Sequence, residues 1–331
     1  MNVGYFSRMK SKFVMQVLLL AVAAAGLLTI LVCVELPNAY LWKAISNFGH
    51  LPLFGAFSLV MFGLSVYILG SRVRRRRSHY IIALAATVIV GGVSECFQIA
   101  GPRDAGLWDL LRDIGGGISF LCLFMLGDSE MTLHMGDRIR KFRAVVLFVA
   151  LVIIIPGIFP VGYWASAYWH RSSTFPAICE FESMWESPFR EARNAELAVV
   201  AAPAGWPSLI GNHVAKLTFR PAIYSEFVVL ETCPDWSKFG TLAFEVYSEL
   251  QTAVFVFMRL EDAYHNNEPD DRFDRRIQVS PGLNRISIPL IDIRRAPIAR
   301  DMDMGAIRTF SLFVHKPADT FTLYLDNFRL E

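Results

Sequence analysis

Five apolar runs dominate the first half of the chain, near residues 13-35, 48-70, 79-100, 111-127 and 144-164. A helix needs roughly 20 apolar residues to cross the hydrocarbon core of a bilayer, so these runs predict five transmembrane helices. The fourth is the weakest, its apolar stretch running only from Ile114 to Leu126, which puts Asp109 and Asp113 in its first turns at the interface. The first run is longer than the apolar core of a secretory leader and no small-residue cleavage site follows it, so it reads as an anchor. Beyond Trp164 the period changes to two, as in VAKLTF at 214-219, TLAFEVYS at 241-248, TAVFVFMR at 252-259, RISIPL at 285-290 and FTLYL at 321-325, with Pro, Gly, Asn and Asp between the stretches. Alternation with frequent turn residues predicts an all-β sandwich. The expected architecture is an α-helical transmembrane bundle in residues 1-164, a linker at 165-174 and a jelly-roll type β-sandwich in 175-331.

Composition agrees with two solvents for one chain. Hydrophobic residues make up 54% of the sequence and Phe alone occurs 26 times, while the 19% of charged residues is enough for a water-exposed part. A net charge of +2 gives no nucleic-acid footprint. The basic residues instead sit in blocks beside apolar runs: Arg8, Lys10 and Lys12 before the first, Arg72 and Arg74 to Arg77 after the second, and Arg138, Arg140, Lys141 and Arg143 before the fifth. Cytoplasmic loops carry such excess, so the expectation is a five-span protein, N-terminus cytoplasmic and sandwich outside.

That topology gathers polar residues at the external ends of the spans. His50 opens the second run, Glu95 and Gln98 close the third, Asp109 and Asp113 open the fourth, and Arg103 lies in the loop between. Glu95 and Gln98 are three apart and Asp109 and Asp113 four apart, so each pair shares a helix face. Ionisable groups at membrane depth are costly and mark a functional site by default. Two readings stay open: Glu95 as acid or base with His50 as its partner and Arg103 holding an anionic group, or a structural knot satisfying backbone groups at helix ends. Gly115 to Gly117 read as a close helix-packing surface, because no P-loop Lys follows them.

The segment ECFQIAGPRDAGLWDLLRDIGGG from Glu95 to Gly117 resembles the signature of VanZ-like membrane proteins, with Glu95, Gln98, Arg103, Asp109 and Gly116 at matching positions. Upstream, His50 and Phe54 also correspond. Ser46 and Asn47 replace the family's Asp-Lys pair, and Asp113 stands where the family has Asn. The resemblance covers about residues 40-127 and implies membrane and envelope association, while the departures put in doubt any mechanism that needs the Asp-Lys pair.

In the C-terminal part, CEFES at 179-183 and LYLDNFRL at 323-330 resemble the first and last strands of galactose-binding-like carbohydrate-binding modules. The resemblance implies a structural Ca²⁺ held by Glu180 or Glu182 with Asp326, against the plainer reading that these acids pair with Arg329 or cap strands. It also implies sugar recognition through aromatic faces and polar side chains. Tyr264, His265, Asn266, Arg272 and Asp274 of one loop, with Trp206 and Trp236, are the candidates. The alternative is a solvated loop and core tryptophans. Cys33, Cys96 and Cys122 fall in apolar runs as small hydrophobes. Cys179 and Cys233 are candidates for a disulfide if the domain is extracytoplasmic, their approach being left open by sequence.

No metalloprotease or catalytic-triad spacing is legible. The leading expectation is a non-enzymatic envelope protein binding a glycan outside and a membrane lipid or lipid-linked saccharide in its bundle. One alternative is an enzyme acting on a lipid-linked substrate through His50, Glu95, Arg103 and Asp109. A scaffold for other envelope proteins is the other.

Overall fold

The computed structural model describes residues 39-99, 106-133, 136-206 and 213-331 with Val22 and Pro37, and side chains in the segment ending at 99 are described as far as Cys96. The chain divides into two compact units, Met1–Ala165 and Ser166–Glu331. The first holds α1 (Tyr40–Leu69), α2 (Arg76–Ile99), α3 (Leu107–Gly127), the single turn α4 (Ser129–Thr132) and most of α5 (Ile139–Thr174).

Four helices among the described residues are long and apolar enough to cross a membrane, Tyr40–Leu69, Arg76–Cys96, Leu107–Gly127 and Gly136–Thr174. They coincide with the second to fifth expected spans, and the first, 13-35, lies outside the described residues. Ile81, Ile89, Phe148 and Phe159 are each about two-thirds exposed on these helices, as side chains covered by lipid rather than protein would be. The expected linker 165-174 instead continues α5 as helix. Nothing in its sequence breaks a helix, and the stop comes from Pro176, since a residue preceding proline avoids the helical region.

Gly115 to Gly117 show why the bundle packs closely. Successive helical residues point about 100° apart, and a Cβ on each would meet a different neighbour: Ile153 of α5 for Gly115, the backbone carbonyl of Leu51 in α1 for Gly116, and Thr87 of α2 for Gly117. Small residues let helix backbones approach where no hydrophobic drive between helices exists.

The second unit contains β1 (Ala177–Cys179), β2 (Arg190–Arg193), β3 (Ala195–Ala201), β4 (His213–Phe219), β5 (Tyr224–Leu230), β6 (Thr241–Ser248), β7 (Val254–Asp262), β8 (Phe273–Val279), β9 (Gly282–Pro289), the short α6 (Leu290–Arg294), β10 (Ile307–His315) and β11 (Phe321–Leu330). One sheet runs β3-β4-β11-β6-β9 with β1 also on β11, the other β2-β5-β10-β7-β8. All pairings are antiparallel.

Inward positions of both sheets interdigitate in one core, centred on fully buried Phe328. Its ring stacks on Phe244 at 4.9 Å and lies 5.3 Å from that of Phe310. Asn327, at φ +58°, makes a bulge that shifts the register between Asp326 and Arg329. The extra residue turns Asp326 outward while bringing Phe328 in.

Two expectations about this unit are corrected. Cys179 and Cys233 are free thiols, so no disulfide joins them. Cys179 is buried against Glu186 and Arg190, whereas the Cys233 thiol donates to the Arg171 carbonyl. Trp236 is a core residue without exposed surface, its indole N–H donating to the Cys233 carbonyl at 2.7 Å. Its large apolar area is spent in the core, with the indole N–H satisfied as a buried tryptophan requires.

Candidate functional site

Register places an aromatic and charged platform on the outer face of the five-stranded sheet. Following cross-strand partners, one row reads Arg193, Glu226, Phe313, Phe257, Arg276 through β2, β5, β10, β7 and β8. The row beside it carries Glu191, Val228, Ser311, Arg259 and Asp274. On the other side lie the pairs Tyr224 with His315 and Phe255 with Gln278. With strands about 4.8 Å apart, five strands make a surface roughly 19 Å wide.

Its rings form a continuous group. Phe257 stacks on Phe313 with centroids 5.4 Å apart, Tyr224 meets Phe313 edge-on at 5.8 Å, and Tyr224 lies 5.2 Å from His315. Tyr224 of this group is 45% exposed, and Phe255, separate from it on the same face, is 39% exposed. Two guanidinium groups lie on the rings, Arg259 at 4.7 Å from the Phe313 centroid and Arg276 at 3.5 Å from that of Phe255. Aromatic faces ringed by hydrogen-bonding side chains suit ligands with one apolar face and a polar rim.

Of the loop residues expected to bind sugar, Arg272 and Asp274 reach this platform, where the Asp274 carboxylate accepts from Arg272 Nε and Arg259 Nε, both at 2.9 Å. Tyr264 is exposed at the loop, whereas His265 and Asn266 are used internally. The His265 ring bonds the Asp271 carbonyl, and the Asn266 N–H donates to the Asp271 carboxylate. The loop is tied down by Arg300, which donates to Asp262 and Asp271. Burial opposes the charge on Asp262, but bonds from Arg300 and the backbone outweigh it and hold its carboxyl below the usual range. Tyr224, Phe255, Phe257, Arg259, Arg276 and Phe313 were missed from sequence because VFVFM is apolar at both parities, so its alternation does not tell inside from outside.

The other sheet closes its outer face. Trp206, 2% exposed, stacks on Tyr247 at 5.9 Å and donates its indole N–H to Glu245, which also accepts from Asn327 and Arg285. Neither tryptophan therefore presents a ring to solvent. Beside this cover Asp326 is buried, and neither carboxylate oxygen makes a well-formed hydrogen bond among the described residues. Burial, opposed by the nearby Asn327 N–H and reinforced by Glu182, Glu245 and Glu180, pushes its carboxyl up to about 7. Hard oxygen donors around an orphaned carboxylate suit Ca²⁺. The geometry is incomplete, since no three His, Cys, Asp or Glu side chains among the described residues converge as metal ligands. Glu182 is engaged by the backbone and ring of His213.

In the bundle, His50 Nδ1 and Asp113 Oδ1 are 2.8 Å apart, joining α1 to α3. Asp113 has no exposed surface and its Oδ2 lacks a partner among the described residues. That oxygen abuts Gly91 of α2, where a Cβ would come within 3.3 Å of it. Glu95 accepts from the Gly106 N–H at 3.0 Å through one oxygen, while its buried Oε1 has no partner among the described residues. Asp109 pairs with Arg112 on its own helix. Arg103 and the Gln98 side chain lie outside the described residues.

A second polar group, at the opposite ends of α2 and α3, was not anticipated. Asp128 accepts from Arg76 Nε at 2.8 Å and Tyr80 OH at 2.7 Å, and the Arg76 guanidinium covers the Phe62 ring. It fastens three helices together.

No family model matches the chain, and no curated protein matches it. The VanZ-like resemblance therefore rests on the residues that carry it. Solved structures similar to part of the chain include an exo-β-agarase, at 16% identity and TM-score 0.38, covering 47% of this chain and 24% of that one. A family 11 carbohydrate-binding module from Clostridium thermocellum, in complex with a β-1,3-1,4-mixed-linked tetrasaccharide, has 15% identity and TM-score 0.36 over 46% of this chain and 93% of its own. A non-crystalline cellulose specific module, CBM28, has 12% identity and TM-score 0.34 over 48% and 94%.

Proposed function

We propose that this is a multi-pass membrane protein of a bacterial envelope, N-terminus cytoplasmic, whose extracytoplasmic β-sandwich binds glycan on the outer face of its five-stranded sheet. The observation that carries the reading is the row of rings from Tyr224 through Phe313 to Phe257, partly open and flanked by Arg, Asp and Gln side chains. A pyranose has an apolar face to lie on such rings and hydroxyls for the charged rim. The test is titration of the full chain in nanodiscs with a panel of envelope polysaccharides. Saturable binding that Tyr224→Ala weakens supports the platform; a folded protein that binds none of them removes it.

A structural Ca²⁺ at Asp326, with Glu180 or Glu182, belongs to the same proposal. It would neutralise the buried carboxylate and steady the last strand rather than touch the glycan.

The His50–Asp113 contact supports a second reading, in which the bundle acts on a lipid-linked substrate with Glu95 and Asp113 as its acid and base groups. Here Glu95→Gln and Asp113→Asn each abolish the envelope phenotype at unchanged protein level. Wild-type behaviour of both variants leaves the group a structural knot.

A further inference from the structure

We infer that the glycan taken by the platform is anionic, a polysaccharide carrying carboxylate groups, and that Arg259, Arg272 and Arg276 read that charge; the inference rests on the platform being a glycan site. Three guanidinium groups and one carboxylate, Asp274, lie at the β7–β8 side of the face. Arg259 and Arg272 share Asp274. Arg276 has a ring beneath it and no ion-pair partner among the described residues.

The remaining acids of the face are engaged elsewhere. Glu191 and Glu226 pair with Arg193 at 2.8 and 3.4 Å, and Glu261 lies 3.6 Å from the His265 ring. Of the three arginines beside the Phe255 and Phe313 rings, two share Asp274 and the third has no acid on it among the described residues, so this end of the face is locally positive although the face as a whole carries as many carboxylates as arginines.

The hydrogen bonding points the same way. Arg259 and Arg272 each spend only Nε on Asp274. Their Nη groups, like all the guanidinium nitrogens of Arg276, donate to no protein acceptor among the described residues. A guanidinium whose Nη groups bond no protein acceptor has its fork of donors free to grip a carboxylate with two parallel bonds. A neutral glycan would leave that fork to water. A uronate ring can instead rest on the exposed aromatic and bring its carboxylate to the arginine fork beside it.

The test titrates the full chain in nanodiscs with a polyuronate, a neutral β-glucan of similar length and inorganic polyphosphate, at low and high salt. The polyuronate is expected to bind at least about tenfold tighter than the neutral glucan, a preference weakened by salt because part of it is a solvent-exposed charge interaction. Arg276→Gln, at an exposed position, is expected to shrink the preference to about threefold or less without shifting Tm. Equal, salt-insensitive binding of both polysaccharides overturns the inference and leaves the platform standing. Failure of both to bind overturns the platform as well. Polyphosphate bound as tightly as polyuronate reduces the site to unspecific anion capture and overturns the saccharide assignment.

Discussion

The two sheets of the sandwich share one core and treat their outer faces in opposite ways. On the six-stranded sheet Trp206 lies down on Tyr247, the acids Glu245 and Asp326 are enclosed, and the aromatic rings are spent on stability. On the five-stranded sheet Tyr224 and Phe255 stay open, guanidinium groups lie on the rings, and much of the donor capacity is unspent. An aromatic residue on an outer sheet face thus has two uses, and the local cover decides between them. A ring capped by the chain holds the fold, whereas a ring left open with unengaged donors around it is available to a ligand.

Substitutions can break this contrast. Trp206→Ala is expected to have the largest effect, about 3-5 kcal/mol of sandwich stability, the usual cost of truncating a buried aromatic. Glycan titration of the variant should be unchanged at a temperature where it remains folded. Loss of binding at equal fold would show that the covered face also serves recognition.

A smaller effect is expected at Asp326, through pH. Its carboxyl is raised to about 7 in the fold from an ordinary 3.8, so between these values the folded protein holds a proton that the unfolded chain has lost. Stability should therefore fall as pH rises from about 4 to about 7 and level off above. Asp326→Asn should flatten that slope in a series of Tm measurements. Millimolar Ca²⁺ at pH 8 should raise Tm of the wild type and not of the variant. A wild type indifferent to Ca²⁺ would discard the metal and leave only the buried acid.

The smallest stability effect belongs to the open face. Tyr224→Ala should change stability by no more than about 0.5 kcal/mol, as surface substitutions do. It should nevertheless weaken glycan binding about tenfold, the loss of one stacking ring. If stability falls and binding holds, Tyr224 belongs with Trp206 as a structural residue.

The legibility of each part followed from the range of the interactions that make it. Helix length and hydropathy are local, so the second to fifth apolar runs and the period-two strands stood in the sequence, as did the packing role of Gly115 to Gly117. The charged loop 264-276 drew attention because it is polar and contiguous, yet its His265 and Asn266 are consumed within the loop. The platform went unseen because it is assembled from β5, β7, β8 and β10, none of which shows by itself which parity faces out. Trp206 and Trp236 were conspicuous by type, and type does not report cover.

Sequence alone therefore determined the division between an apolar helical part and a β part, the approximate limits of the strands, and the polar residues stationed at the helix ends. Those follow from composition and period, which act along the chain. Tertiary structure decided that His50 meets Asp113, that Cys179 and Cys233 stay apart, and that Asp326 is buried. It also decided that Tyr224, Phe257, Phe313 and three arginines share one surface. Each of these depends on register between strands or on which faces of helices meet, and those are settled only when distant segments compete to bury the same apolar area.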